Sequence, residues 1–284
     1  MPSASEGERR IISFAGSAVA VAWDEPRGAR IVRFLFEHAP ARDDIAPCET
    51  FRIGWIEHSA KLGLYRGDIL IYLGDSEGYL AELLMNEVCR HLVTHSRGGL
   101  LLHAAGLAHD GKGIILPGAM TTGKSTLAAW LALRGLDYLT DELVFIPQGA
   151  EEMQPFIRPL NLRRPSRAAL PELGWQTLAP GPWPGRESDL IPPKALNPAG
   201  RWASPALRVI VFARYAPHAT PAVRRLSQAE TALALLPCLV NSSRLPEGGL
   251  PEVARIARQV RGYEAVYGHL SQLHASLEDW GRAL

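Results

Sequence analysis

Eight residues, Gly118-Ala119-Met120-Thr121-Thr122-Gly123-Lys124-Ser125, match the phosphate-binding pattern G-x-x-x-x-G-K-[ST] at every fixed position. Gly118 and Gly123 let the main chain curl until successive N–H groups point inward at an anion. Lys124 has the reach and charge for the outer phosphates of a triphosphate, and the Ser125 hydroxyl suits Mg2+. Thr126, next in the chain, is counted with the phosphate-binding residues. A helix beginning near Lys124 would add free N–H groups and the positive end of its dipole. The stretch predicts ATP and Mg2+ as ligands, although GTP would fit the same loop. It does not choose among kinase, ATPase and GTPase chemistry.

Two further features bear on that choice. Asp141 and Glu142 interrupt the otherwise apolar run Tyr138-Leu-Thr-Asp-Glu-Leu-Val-Phe-Ile146. Two carboxylates there are costly without a compensating cation. Neighbouring strand residues point to opposite faces, so both acids can serve one site only if the strand ends or bends there. An acid near a phosphate loop can hold Mg2+ (with Ser125), and a kinase needs a carboxylate to accept the proton of the attacked hydroxyl. His103, in Leu-Leu-His-Ala-Ala-Gly, is either a hydrogen-bonded structural residue or a participant in the site.

The elements that must position these residues can be read from local patterns. Gly113-Ile-Ile-Leu-Pro117 reads as a buried strand entering the loop, and Ser125 to Arg134 as a helix leaving it and stopping at Gly135. Asp110-Gly111 lies between apolar runs and predicts a hairpin. Upstream, Ala18–Trp23, Ile31–Phe36 and Asp68–Leu73 read as strands. Leu80, Leu84, Val88 and Leu92 recur at helical spacing within 77–95. Downstream, Tyr138–Ile146 reads as one strand. Residues 147–205 are Pro- and Arg-rich, and 180–205 is expected to be an irregular loop or lid. Leu207–Ala213 predicts a strand; helices are expected near Ser227–Leu236, Pro251–Val260 and His269–Gly281. Ser227 and Glu230 form a capping-box pattern.

Composition narrows the partners. The 284 residues are 47% hydrophobic and 21% charged, as in a globular domain, with a formal charge of +1. That balance is no argument for nucleic acid or an acidic membrane surface, and neither is expected as a partner. Cys48, Cys89 and Cys238 are far apart and suggest neither a disulfide framework nor a zinc knuckle. Apolar runs fall short of the ~20 residues that span a bilayer. No signal-peptide core follows the first residues, so a cytoplasmic location is expected.

His103, the phosphate loop and the acidic pair, in this order, resemble the HPr kinase/phosphorylase family. Leu101-Leu-His-Ala-Ala-Gly, Gly118 to Leu127, Arg134-Gly and Thr140-Asp-Glu look most like its relatives encoded beside peptide-modification genes, such as lasso-peptide kinases. The resemblance covers about residues 99–146. It implies an α/β P-loop kinase domain with the mixed sheet of the HPr kinase and phosphoenolpyruvate carboxykinase group, over 77–284, with a β-rich accessory region over 1–76. It also implies catalytic roles for Lys124, Asp141 and His103, and Mg2+ contacts by Ser125, Asp141 and Glu142. Asp141 would be the base or a metal ligand, and His103 would orient the acids or touch the transferred phosphoryl group. Arg158 would stabilise charge, unless it is an ordinary surface arginine. Ala119 and Thr121 replace an Asp and a Gly of true HPr kinases, which points to an acceptor other than HPr and away from the reverse phosphorylase reaction.

The expected activity is therefore transfer of the γ-phosphoryl group of ATP to a hydroxyl, foremost a serine of a peptide or protein. A small-molecule kinase and a nucleotide-dependent ATPase or switch are the alternatives. The resemblance is compatible with a homo-oligomer.

Overall fold

The computed structural model describes residues 8–42, 44–119, 121–175, 181–276 and 280. The chain divides into two units. The first comprises residues 1–97 with 183–190, and the second 98–182 with 191–284.

In the first unit, β1 (Glu8–Phe14), β2 (Ser17–Trp23), β3 (Thr50–Ile56), β4 (Lys61–Arg66) and β5 (Ile69–Gly74) form one sheet in that order. Its pairs are antiparallel except β2 with β3, which run parallel around the crossover helix α1 (Pro26–Phe36). The predicted strand Ile31–Phe36 is thus the second half of a helix. Ile31, Val32, Leu35 and Phe36 are buried on one helical face. Pro26 sits in the first turn, and the Glu25 carboxylate accepts the Gly28 N–H at 3.0 Å. These start signals outweigh the β-branched content of the run.

Helix α2 (Glu77–Thr94) starts on the Ser76 cap and buries Leu80, Leu84, Val88 and Leu92 as their spacing requires. It packs within the first unit, which runs to Arg97.

The second unit is α/β, built on a mixed sheet. Strands β6 (Gly99–His109) and β7 (Lys112–Pro117) form the expected hairpin; Asp110 and Gly111 at its tip have φ of 48° and 76°, as a tight two-residue turn demands. Helix α3 (Lys124–Ala132) follows the glycine-rich loop. Next come β8 (Asp137–Thr140) and β9 (Leu143–Pro147), both antiparallel to β6. The expected single strand 138–146 therefore breaks at Asp141-Glu142, while the register across β6 is kept: Gly106 faces Thr140 and His103 faces Leu143.

The stretch 147–205 is more ordered than its composition suggests. It holds β10 (Gln154–Pro155), β11 (Leu160–Arg163), β12 (Trp183–Pro184), β13 (Ser188–Ile191) and α4 (Pro193–Leu196). β12 and β13 form a hairpin in which Glu82 of the first unit's α2 accepts from Arg186 N–H at 2.9 Å and Ser188 Oγ at 2.8 Å. Ile191 and Leu196 join the second unit's core, and buried Asn197 donates to the Tyr138 carbonyl at 3.2 Å. These anchors are not those of an irregular lid. Residues 176–180 lie outside the described set.

The sheet is completed by β14 (Ala206–Tyr215), β15 (Ala222–Leu226) and, after helices α5 (Gln228–Leu235) and α6 (Leu250–Gln259), β16 (Arg261–Tyr267). Its order is β10-β9-β6-β7-β14-β16-β15, with β8 also on β6. β7, β14 and β16 run parallel, the other pairs antiparallel. The central strands are buried on both faces. Leu107, Ile114, Leu116 and Val209 pack with α3, whereas Leu102, Ile115 and Ile210 pack with Leu235 of α5 and Ile256 of α6. Of the expected helix 269–281, Leu270–Leu273 is a 3-10 turn and most residues past Ser276 lie outside the described set. Among the described residues no helix is long and apolar enough to cross a membrane.

Candidate active site

The glycine-rich loop sits between β7 and α3, at the end of a strand whose neighbour β14 runs parallel to it. Gly123 closes the loop at φ 95°. A Cβ there would lie 2.8 Å from Tyr267 Oη and 3.0 Å from Tyr215 Cβ, so backbone and space both demand glycine. Gly118 has φ 151° and Thr121 φ 71°. The loop is braced from the ends of β14 and β16: Tyr215 N–H donates to the Thr122 carbonyl at 2.9 Å, and Tyr267 Oη lies 3.5 Å from the Gly123 carbonyl. Tyr215 and Tyr267 were not expected from sequence; the only available signal was their place at the ends of apolar strands. Met120 lies outside the described residues.

The Ala119 carbonyl accepts from Lys124 Nζ at 2.7 Å and from Thr122 Oγ1 at 3.1 Å. Both side chains thus pull one carbonyl toward themselves. The first-turn N–H groups of α3 have no intrahelical acceptor, and Gly123 supplies no capping side chain. Free donors and the helix dipole together favour an anion at this spot. The Thr126 hydroxyl instead engages Ser166 Oγ at 3.0 Å, so only its N–H faces the phosphate role assigned to it.

The bend between β8 and β9 brings the acids to the loop. Asp141 is 4% exposed and Lys124 5% exposed. Burial pushes the Asp141 carboxyl up to about 7; Glu142 pushes the same way, against Arg158, a hydrogen bond from Ser125, and Lys124. Burial also lowers the Lys124 ammonium, against the pull of Asp141 and Glu142. Asp141 Oδ1 is buried and has no hydrogen-bond partner among the described residues. A carboxylate oxygen in that state is costly unless a ligand completes it.

Glu142 is held differently. Its Oε2 lies 3.4 Å from Arg158 Nη1 and its Oε1 3.9 Å from His103 Nε2. Arg158 is only 1% exposed, not the ordinary surface residue that sequence left open. Its backbone is fixed by Tyr138 Oη, which donates to the Arg158 carbonyl at 3.1 Å. His103 stands on β6 one register step from Glu142, and burial lowers its pKa, which favours the neutral ring. Cys238, after α5, is buried within electrostatic range of Lys124; nothing local in the sequence marks it.

The donor set can be tested for Mg2+. The Ser125 hydroxyl and the Asp141 carboxylate are hard oxygen ligands joined by a hydrogen bond, with one oxygen unpartnered, and they fit. Glu142 fits less well, because each of its oxygens faces a side chain nitrogen. The structure thus brings together Lys124, Ser125, Asp141, Glu142, His103 and Arg158. Comparison with protein-family models and with curated proteins finds no match.

Proposed function

We propose that this protein is an ATP-dependent kinase that transfers the γ-phosphoryl group to a hydroxyl, foremost a serine of a peptide or protein. One observation carries the reading: the buried Asp141 carboxylate, whose Oδ1 has no partner among the described residues, takes a hydrogen bond from Ser125 and lies within electrostatic range of Lys124 at the start of the loop helix. Loop and helix N–H groups would cradle the phosphates, and Lys124 would exchange the Ala119 carbonyl for phosphate oxygens. Mg2+, held by Ser125 and Asp141, would supply charge neutralisation of the phosphate oxygens. Where Ser125 alone holds the metal, Asp141 would instead be the base: its carboxyl, pushed up to about 7 in the metal-free protein, has the basicity to receive the acceptor's proton near neutral pH. Arg158 keeps Glu142 in place beside it, with the His103 ring 3.9 Å from its other oxygen.

The mixed sheet, with a hairpin before the loop, supports an HPr-kinase-like P-loop domain over an all-parallel one. Thr121 supports it too. At the position where true HPr kinases carry glycine, its φ of 71° lies in the left-handed region that glycine favours. The test is incubation with γ-labelled ATP, Mg2+ and peptides encoded by neighbouring genes, followed by mass spectrometry. Phosphate on a peptide serine is the expected result. Label that appears on a small alcohol moves the acceptor class; label found only in inorganic phosphate overturns the kinase reading.

A further inference from the structure

We propose that the first unit carries a separate transition-metal site, of the kind zinc occupies, formed by Cys48, His91 and His95. One ligand atom from each residue lies within 4.8 Å of the others. Tetrahedral zinc, with bonds of about 2.0–2.3 Å, sets donors roughly 3.5 Å apart, so side-chain rotation of about an ångström closes the set. The backbone already places the three residues. His91 and His95 are four apart at the end of α2, on one helical face, with rings nearly parallel at 7° and 6.3 Å between centroids. Cys48 precedes β3 on a segment pinned to β2: its N–H donates to the Ala18 carbonyl at 2.8 Å, and Ala20 N–H donates to the Glu49 carbonyl at 3.0 Å.

The protonation pattern suits a metal. His95 Nδ1 can only donate to the His91 carbonyl, 3.0 Å away, which leaves the Nε2 lone pair for a ligand bond. His91 is half-buried against the edge of the Phe51 ring. Cys48 is exposed, and its Sγ lies 3.7 Å from the Ser17 hydroxyl. The obstacle is Arg90, whose Nη2 donates to His91 Nε2 at 3.0 Å. The same guanidinium is already paired with Glu87 at 2.5 Å, so it keeps a partner if a metal takes the ring nitrogen. Glu49 and Glu87 beside His91 offset the charges of Arg90 and Arg66. A thiolate with two imidazoles selects zinc or cobalt over Mg2+, which prefers oxygen. Three protein donors leave a fourth position for water or a carboxylate.

The test uses the full chain without a histidine tag, stripped by chelator and titrated with Zn2+ or Co2+ in excess Mg2+. One equivalent should bind, the cobalt form should show thiolate-to-metal charge transfer, and Zn2+ should raise Tm by several degrees. Cys48→Ser should remove the charge-transfer band. His95→Gln, at an exposed position, should weaken Zn2+ at least ~10-fold. Circular dichroism on both variants checks that they fold. No stoichiometric uptake by the parent chain, or uptake that survives either substitution, overturns the site. Phosphoryl transfer is not read in this test, so its result is independent of the kinase reading.

Discussion

Asp141 and Glu142 are consecutive residues, yet they belong to two electrostatically different regions of the second unit. Below the loop, Asp141 and Lys124 are buried with incomplete pairing, and burial drives both toward their neutral forms. Beside the loop, Glu142 is half-exposed and each of its oxygens faces a nitrogen of Arg158 or His103. The bend between β8 and β9 makes the difference, because it turns one carboxylate inward and leaves its neighbour on the flank. The lesson is about cost. A floor of underpaired charges is stabilised only when a ligand completes it, whereas a matched flank is stable without one. Function should therefore depend steeply on the floor and mildly on the flank.

The largest expected effect is at Lys124. Lys124→Ala should lower phosphoryl transfer on the order of 10³-fold or more with the fold retained, measured by labelled-phosphate transfer and circular dichroism. Retained transfer would remove the loop from catalysis. Asp141→Asn comes next. It should leave nucleotide binding measurable and cut single-turnover transfer by at least ~10²-fold. A rate close to that of the parent would strip Asp141 of the role of base and erase the contrast with Glu142.

The floor should also be visible without nucleotide or metal. The Asp141 carboxyl is held up at about 7, against 3.8 for an unperturbed aspartate. Between those values the folded chain binds more protons than the unfolded one, so stability falls as pH rises through the window. The advantage is fully present below pH 3.8 and lost as pH climbs past about 7. The shift is worth roughly 4 kcal/mol at full titration. Asp141→Asn should flatten this part of the profile in denaturant unfolding at pH 5 and pH 8. If the variant keeps the parent's slope, Asp141 titrates near its ordinary value and the floor is not strained.

How much of this was legible in the sequence depends on how local each signal is. The loop, its helix and the β6–β7 hairpin are contiguous patterns whose meaning does not depend on distant residues. Ile31–Phe36 misled because a β-branched and aromatic run was read without the cap and proline five residues upstream. The acids were visible, but the bend that separates their fates was not. It arises where β8 and β9 share β6, held by Thr140 Oγ1 on the Phe156 carbonyl at 2.6 Å and by Ala104 N–H on the Glu142 carbonyl at 3.1 Å. The burial of Arg158, the bracing by Tyr215 and Tyr267, and the approach of Cys238 to Lys124 come from chain segments far apart in sequence, which no local pattern encodes. Cys48 with His91 and His95 is the same case in the first unit.

The flank supplies the smallest effect and the most direct measure of the contrast. Arg158 is 1% exposed, but the Glu142 side chain is 35% exposed, and their closest atoms are 3.4 Å apart. Solvent on one side screens the attraction, so a double-mutant cycle of Glu142→Gln and Arg158→Met should give a coupling of about 1 kcal/mol or less. Arg158→Met alone should cost more than that coupling, because Arg158 Nε also donates to the Pro159 carbonyl, at 3.3 Å, inside the protein. Glu142→Gln should slow transfer less than ~10-fold, since the residue holds its neighbours and does not meet the reacting atoms. A coupling of several kcal/mol, or a rate loss equal to that of Asp141→Asn, would mean that floor and flank work as one buried network and that the two carboxylates share the chemistry.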